Sequence, residues 1–224
     1  MMDTRMQSVT FSLTRPRIAL VVFASLAMAA CAAPTRPAPE RKAVPQAAAP
    51  VDLQVQDAGF TIVEAATVSG EARAGYAEAI ASIDRGDRQR GIDMLAAVTT
   101  SDPGLAAPYI DLGIVYHMAG DLQAAEEQLK KGLALSPGHP AALTELGIVY
   151  RKLGRFEDAR RSYEEALAVY PGYHFARRNL AILCDLYLGD LKCALQAYEA
   201  YMETVPGDDQ VTMWIADIRN RMGR

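Results

Sequence analysis

A chain of 224 residues, half of them hydrophobic, is long enough to bury one substantial core with a tail beside it. Its net charge of -4 is spread along the chain in both signs, which excludes the clustered basic face of a nucleic-acid binder and speaks only for solubility. Alanine is abundant and tyrosine is the main aromatic, a composition that suits helices better than sheets.

The first element is not part of a folded body. Arg5, Arg15 and Arg17 stand against a single acid, Asp3, ahead of the 13-residue apolar run Ile18–Ala30. A basic start, a short apolar stretch and small residues at its end describe a secretory signal over residues 1–30. The run is too short to cross a bilayer, which takes about 20 residues. Its end, Leu26-Ala27-Met28-Ala29-Ala30-Cys31, resembles the bacterial lipobox, with Met28 where Leu is commonest. That resemblance implies cleavage before Cys31 and acylation of its thiol and amine, palmitate included. The plainer alternative is ordinary cleavage at Ala27-Met28-Ala29, leaving Cys31 as an unmodified thiol. Several acyl chains on one residue would anchor firmly, since each buried CH₂ contributes about 0.8 kcal/mol. Ala32 follows the cysteine in place of the Asp that retains lipoproteins in the inner membrane of well-studied Gram-negative bacteria. An outer-membrane lipoprotein facing the periplasm is therefore the expected location.

Residues 31–50 form the expected lipid-anchored tether, whose stretch 32–50 holds five prolines and no apolar periodicity. At roughly 3.1 Å per residue it would reach about 60 Å. Residues 51–71 read as an irregular segment, in which Phe60, Ile62, Val63 and Val68 leave a strand-like stretch or an irregular cap both open.

From residue 72 the chain repeats. Pro-Gly recurs at 103–104, 137–138, 171–172 and 206–207, with spacings of 34, 34 and 35 residues. The blocks are 72–105, 106–139, 140–173 and 174–208, and Leu112-Gly113-Ile114-Val115-Tyr116 matches Leu146-Gly147-Ile148-Val149-Tyr150. Gly113, Gly147, Ala79 and Ala181 fall where two helices must approach closely, with Gly91, Ala125, Ala159 and Ala194 facing them. Gly86, Gly120, Gly154 and Gly189 are placed to end a first helix in the left-handed conformation, and Asp87, Asp121 and Asp190 to cap the second. This pattern resembles the tetratricopeptide repeat, a 34-residue helix–turn–helix unit, over about 135 residues. The outer blocks depart from it. Gly75 and Glu78 replace large residues, Tyr201 replaces a small one, and the turn around Leu186–Asp190 has one residue too many. Terminal repeats of a stack are commonly atypical. In the tail 209–224, Val211, Trp214, Ile215, Ile218 and Met222 share one helical face, the mark of a closing helix started by Asp208 or Asp209, with Trp214 in the core. The expected fold is all-α: a tetratricopeptide-repeat solenoid of about four units with a C-terminal capping helix.

Chemistry is sparse. Cys184 and Cys193 fall near the facing ends of one helical hairpin, so an exported protein would bridge them, or they remain two buried thiols. His117, His139 and His174 lack metal-ligand spacing and read as surface or turn residues. No phosphate loop, nucleophile elbow or His-Glu-x-x-His occurs, so no catalytic residue, metal or cofactor is assigned and no enzyme is expected.

The repeat resemblance implies a protein-binding groove lined by first-helix residues: Tyr76, Ile80, Ile110, Ile114, His117, Thr144, Ile148, Arg151, Lys152, Phe175, Arg178 and Ile182. One end is apolar, and the other is basic through Arg151, Lys152, Arg177 and Arg178, which suit an acidic peptide or carboxy-terminus or are simply solvated. The implied function is a periplasm-facing scaffold that binds envelope proteins. Such proteins serve pilus or secretin assembly, outer-membrane assembly, cell-wall enzymes or energy-transducer complexes. Two other readings stand beside it: a structural lipoprotein that associates with itself or with cell wall, and an envelope enzyme with an unrecognised site.

Overall fold

The computed structural model describes residues 52–56, 59–63 and 68–223. The signal segment, Cys31 and the tether lie outside the described residues. A two-stranded hairpin, β1 (Asp52–Gln56) and β2 (Gly59–Val63), comes first. Helices α1 (Gly70–Asp84) and α2 (Arg88–Ser101), α3 (Ala106–Ala119) and α4 (Leu122–Leu135), α5 (Pro140–Lys152) and α6 (Phe156–Val169) form three hairpins. The fourth pairs α7 (His174–Leu183), extended by a π-helical turn over Cys184–Leu188, with α8 (Leu191–Thr204), and α9 (Asp209–Arg221) closes the stack. Each second helix packs on the next first helix, while α3 also touches α5 and α5 touches α7, so the first helices share one side of the array. The fold is an all-α tetratricopeptide-type solenoid.

Local chemistry explains where the helices begin and end. Asp87, Asp121, Asp190 and Asp208 each accept a hydrogen bond from the backbone N–H three residues on, at 3.0–3.3 Å, as N-caps. Gly120 sits at φ 87° and Gly154 at φ 75°, a left-handed turn that lets α3 and α5 stop and reverse without a Cβ clash. Close approach does the rest. A Cβ on Gly113 would stand 2.5 Å from Leu129 Cγ, and one on Gly147 would run into the Tyr163 ring. Ala79, Ala125, Ala159, Ala181 and Ala194 are wholly buried at the corresponding contacts.

The fourth hairpin absorbs its extra residue as the π-helical turn, where the Asp190 N–H donates to the Cys184 carbonyl at 2.9 Å. Cys184, fully buried, and Cys193 are joined in a disulfide with Cα atoms 5.9 Å apart, so the bridged alternative holds. Beyond it, Val211, Ile215 and Ile218 of α9 cover the last hairpin. Trp214 is only half-buried, packed at 5.4 Å on Tyr198.

Residues 51–71 are not irregular throughout. Phe60 and Ile62, two apart on β2, point the same way and bury themselves against Leu143, Ala166, Tyr173 and Ala176. Phe60 meets His139, Tyr170 and Tyr173 edge-on, with ring centroids 5.4–6.2 Å apart. The hairpin is thereby seated on the turns between consecutive repeats. His139 is buried, not the surface histidine expected from the sequence, and its Nδ1 accepts the Ala142 N–H at 3.2 Å to cap α5. Burial holds its pKa down to about 4, so the ring stays neutral as this acceptor role requires.

Candidate functional site

The predicted groove residues do not all reach its surface. Ile110 and Thr144 are buried, 3 % exposed each, and Ile110 fills the space beside Gly132 of α4, so both belong to the packing beneath the groove. Ile114, Ile148 and Ile182, spaced 34 residues apart, are half-buried on the first helices and form the apolar floor. Ile80 extends it on α1, packed with Tyr76 and Ile83. Met118, Phe175, Leu186 and Tyr187 stand out as exposed large side chains around it, and Lys152 is exposed. Arg177 leaves the basic set. Its guanidinium is held by the Pro171 carbonyl, and the residue borders a groove between α6 and α8 with Arg160, Glu164 and Lys192.

Polar links tie neighbouring first helices to one another and α7 to α9. The Tyr76 hydroxyl of α1 donates to the Asp111 carboxylate of α3. His117 Nδ1 of α3 lies 3.1 Å from Glu145 Oε2 of α5. Arg151 of α5 donates to the Tyr187 hydroxyl at 3.2 Å and covers that ring at 5.3 Å. Arg178 of α7 donates to Gln210 Oε1 of α9 at 3.2 Å and lies 5.5 Å over the Trp214 ring. Sequence reasoning named one member of each pair and missed Asp111, Glu145, Tyr187 and Gln210. The signal for them was the repeat itself, since the partners are 28 to 36 residues apart, about one unit along.

Burial and charge shape this side further. Tyr163, beneath Gly147, is wholly buried, and desolvation pushes its hydroxyl up to about 12 despite the Arg151 guanidinium beside it. Arg151 Nε, Arg178 Nε, Thr144 Oγ1 and His117 Nε2 are buried with no hydrogen-bond partner among the described residues. Among the described residues no cluster of three His, Cys, Asp or Glu side chains is arranged to hold a metal ion, and no helix is long and apolar enough to cross a membrane.

Family models described as tetratricopeptide repeat match residues 76–140 and 116–180, the same span that carries the helical hairpins. The chain is a tetratricopeptide-repeat protein. Solved structures agree on the fold of this tetratricopeptide-repeat protein. MamA superposes with a TM-score of 0.63 at 24 % identity, covering 69 % of this chain and 85 % of that one. PilF of Pseudomonas aeruginosa gives 0.61 at 22 % identity, covering 68 % and 69 %. A thermophilic tetratricopeptide-repeat protein of Thermus thermophilus gives 0.55 at 24 % identity, covering 66 % and 80 %. No curated protein matches the chain in sequence. At these identities the likeness establishes the fold alone.

Proposed function

We propose that this protein is a lipid-anchored adaptor that holds another envelope protein on the first-helix side of its repeats. The observation that carries the reading is where apolar surface is left uncovered. Of seven exposed large hydrophobic side chains among the described residues, Met118, Phe175, Leu186 and Tyr187 belong to the first helices or the turn that extends α7, which concentrates apolar area there. Together with Ile114, Ile148 and Ile182 they offer a protein partner a continuous strip crossing three repeats. Support for the anchor comes from the sequence of residues 26–31 and the proline-rich stretch behind it, which would carry the repeats away from an outer-membrane surface into the periplasm. The machine served is one of envelope assembly, and no catalytic role is assigned to any residue.

Crosslinking in intact cells, followed by capture of the chain and mass spectrometry, tests the adaptor role. A defined envelope complex should be captured by the natural chain and lost with Arg151→Glu, Arg178→Glu and Ile148→Ala combined. Recovery of only copies of the chain or cell wall in both samples would replace the adaptor with the structural lipoprotein. For the anchor, radiolabelled palmitate should be incorporated by the natural chain and not by Cys31→Ser.

A further inference from the structure

Most arginines of the repeat array are neutralised within it. Arg155 pairs with Glu126 and Asp158, Arg160 with Asp190, Arg161 with Asp158, Arg219 with Glu199, and Arg221 with Asp185 and Asp217. Arg151 and Arg178, both half-buried on first helices, differ: among the described residues neither has a carboxylate oxygen within 4.0 Å. Each is steadied by an aromatic ring and one neutral acceptor, Tyr187 for Arg151 and Trp214 with Gln210 for Arg178. Such contacts fix a guanidinium in place with no carboxylate in direct contact with it. Of the neighbouring carboxylates, Glu145 is bound to His117, Asp185 pairs with Arg221, and Asp208, which takes the Val211 N–H and the Tyr201 hydroxyl, attracts Arg178 without touching it.

Resting on the reading of the first-helix side as the working surface, we infer that it selects an acidic amphipathic segment, whose apolar side chains meet Ile114, Ile148 and Ile182 and whose carboxylates are taken by Arg151 and Arg178. Guanidiniums bind carboxylates through two parallel N–H···O bonds, and a steadied guanidinium loses less freedom in doing so. The chain's own tether is a poor occupant. Residues 32–50 carry Arg36, Arg41 and Lys42 against one acid, Glu40, so the arginine pair repels it. A partner protein presenting alternating leucines and glutamates is the occupant that fits.

The test uses the full chain in mild detergent and three fluorescein-labelled 12-residue peptides of one design, with leucine at every third or fourth position and glutamate, glutamine or lysine between. The glutamate peptide should bind at least tenfold more tightly than the glutamine peptide, and the lysine peptide should not bind. Arg151→Gln with Arg178→Gln should erase the preference for the glutamate over the glutamine peptide, while Arg151→Lys with Arg178→Lys keeps part of it. Circular dichroism and thermal melting confirm that both variants fold. Equal binding of the glutamate and glutamine peptides, or no binding of the glutamate peptide, overturns the inference. Ile148→Asp separates it from the wider reading. If every peptide binds this variant as it binds the natural chain, the first-helix side is not the binding surface at all.

Discussion

The two central hairpins and the fourth one build the same unit by different means. In α3–α4 and α5–α6, glycines at 113 and 147 let Leu129 and Tyr163 press against the backbone, and the chain reverses on a left-handed glycine. The α7–α8 hairpin also reverses on a left-handed glycine, Gly189, but its close-contact glycine becomes Ala181, the turn holds a π-helical bulge, and a disulfide joins its two sides. The difference follows from position. A central repeat has neighbours on both faces and needs only close packing. The last repeat is covered on one side by the single helix α9, and the covalent bridge and Tyr201 make up for missing neighbours.

That contrast is broken most severely from the centre. Gly147→Leu drives a side chain into the Tyr163 ring, and we expect a loss of about 3 kcal/mol or more in urea unfolding, with the equivalent change Ala181→Leu costing less because α9 can shift. Equal losses would show that both ends pack alike. His139, joining the hairpin β1–β2 to the central repeats, sharpens the comparison through pH. Its folded pKa of about 4 lies below the unfolded value of 6.5, so its contribution is complete above pH 6.5 and is lost as pH falls toward 4, about 3 kcal/mol in all. His139→Asn keeps an acceptor for the α5 cap and should flatten the wild-type slope in that window, measured by unfolding at stepped pH. Replacing both Cys184 and Cys193 with alanine opens a short loop and should cost about 2–3 kcal/mol. Hydrogen exchange should place the loosening in α8 and α9 and spare α3–α6; uniform loosening would contradict a local role. The smallest effect is Asp121→Ala, which removes the α4 cap for about 1 kcal/mol in thermal unfolding.

Much of the fold was legible because the repeat restates its own rules four times. Small residues at close contacts, aspartates at caps and glycines at turns are local requirements, and each recurs at a fixed spacing. The extra residue before Asp190 was visible as a count, and the structure turned it into a π-helical turn. Legibility failed where the partner of a residue lies far along the chain. Phe60 and Ile62 carried the alternation of a strand, yet the surface that receives them comes from residues 133–176. His139 looked like a turn residue until that hairpin covered it.

The candidate site divides along the same line. The repeat resemblance, carried over by register, placed Ile114, Ile148, Ile182, Arg151 and Arg178 on the shared side, because residues at equal positions of a stacked repeat must align. Tertiary structure decided which of them are accessible and what they touch. Ile110 and Thr144 sank beneath the surface since the close approach of α3 to α4 and α5 to α6 left them no solvent, and Arg177 turned to the other face. The periodic sequence thus determined the helices, their order and the side that they share. Only the packed array decided the pairings between hairpins, such as Arg155 with Glu126, Arg160 with Asp190 and Arg221 with Asp185, since these depend on the distance between groups that the sequence holds about a repeat apart.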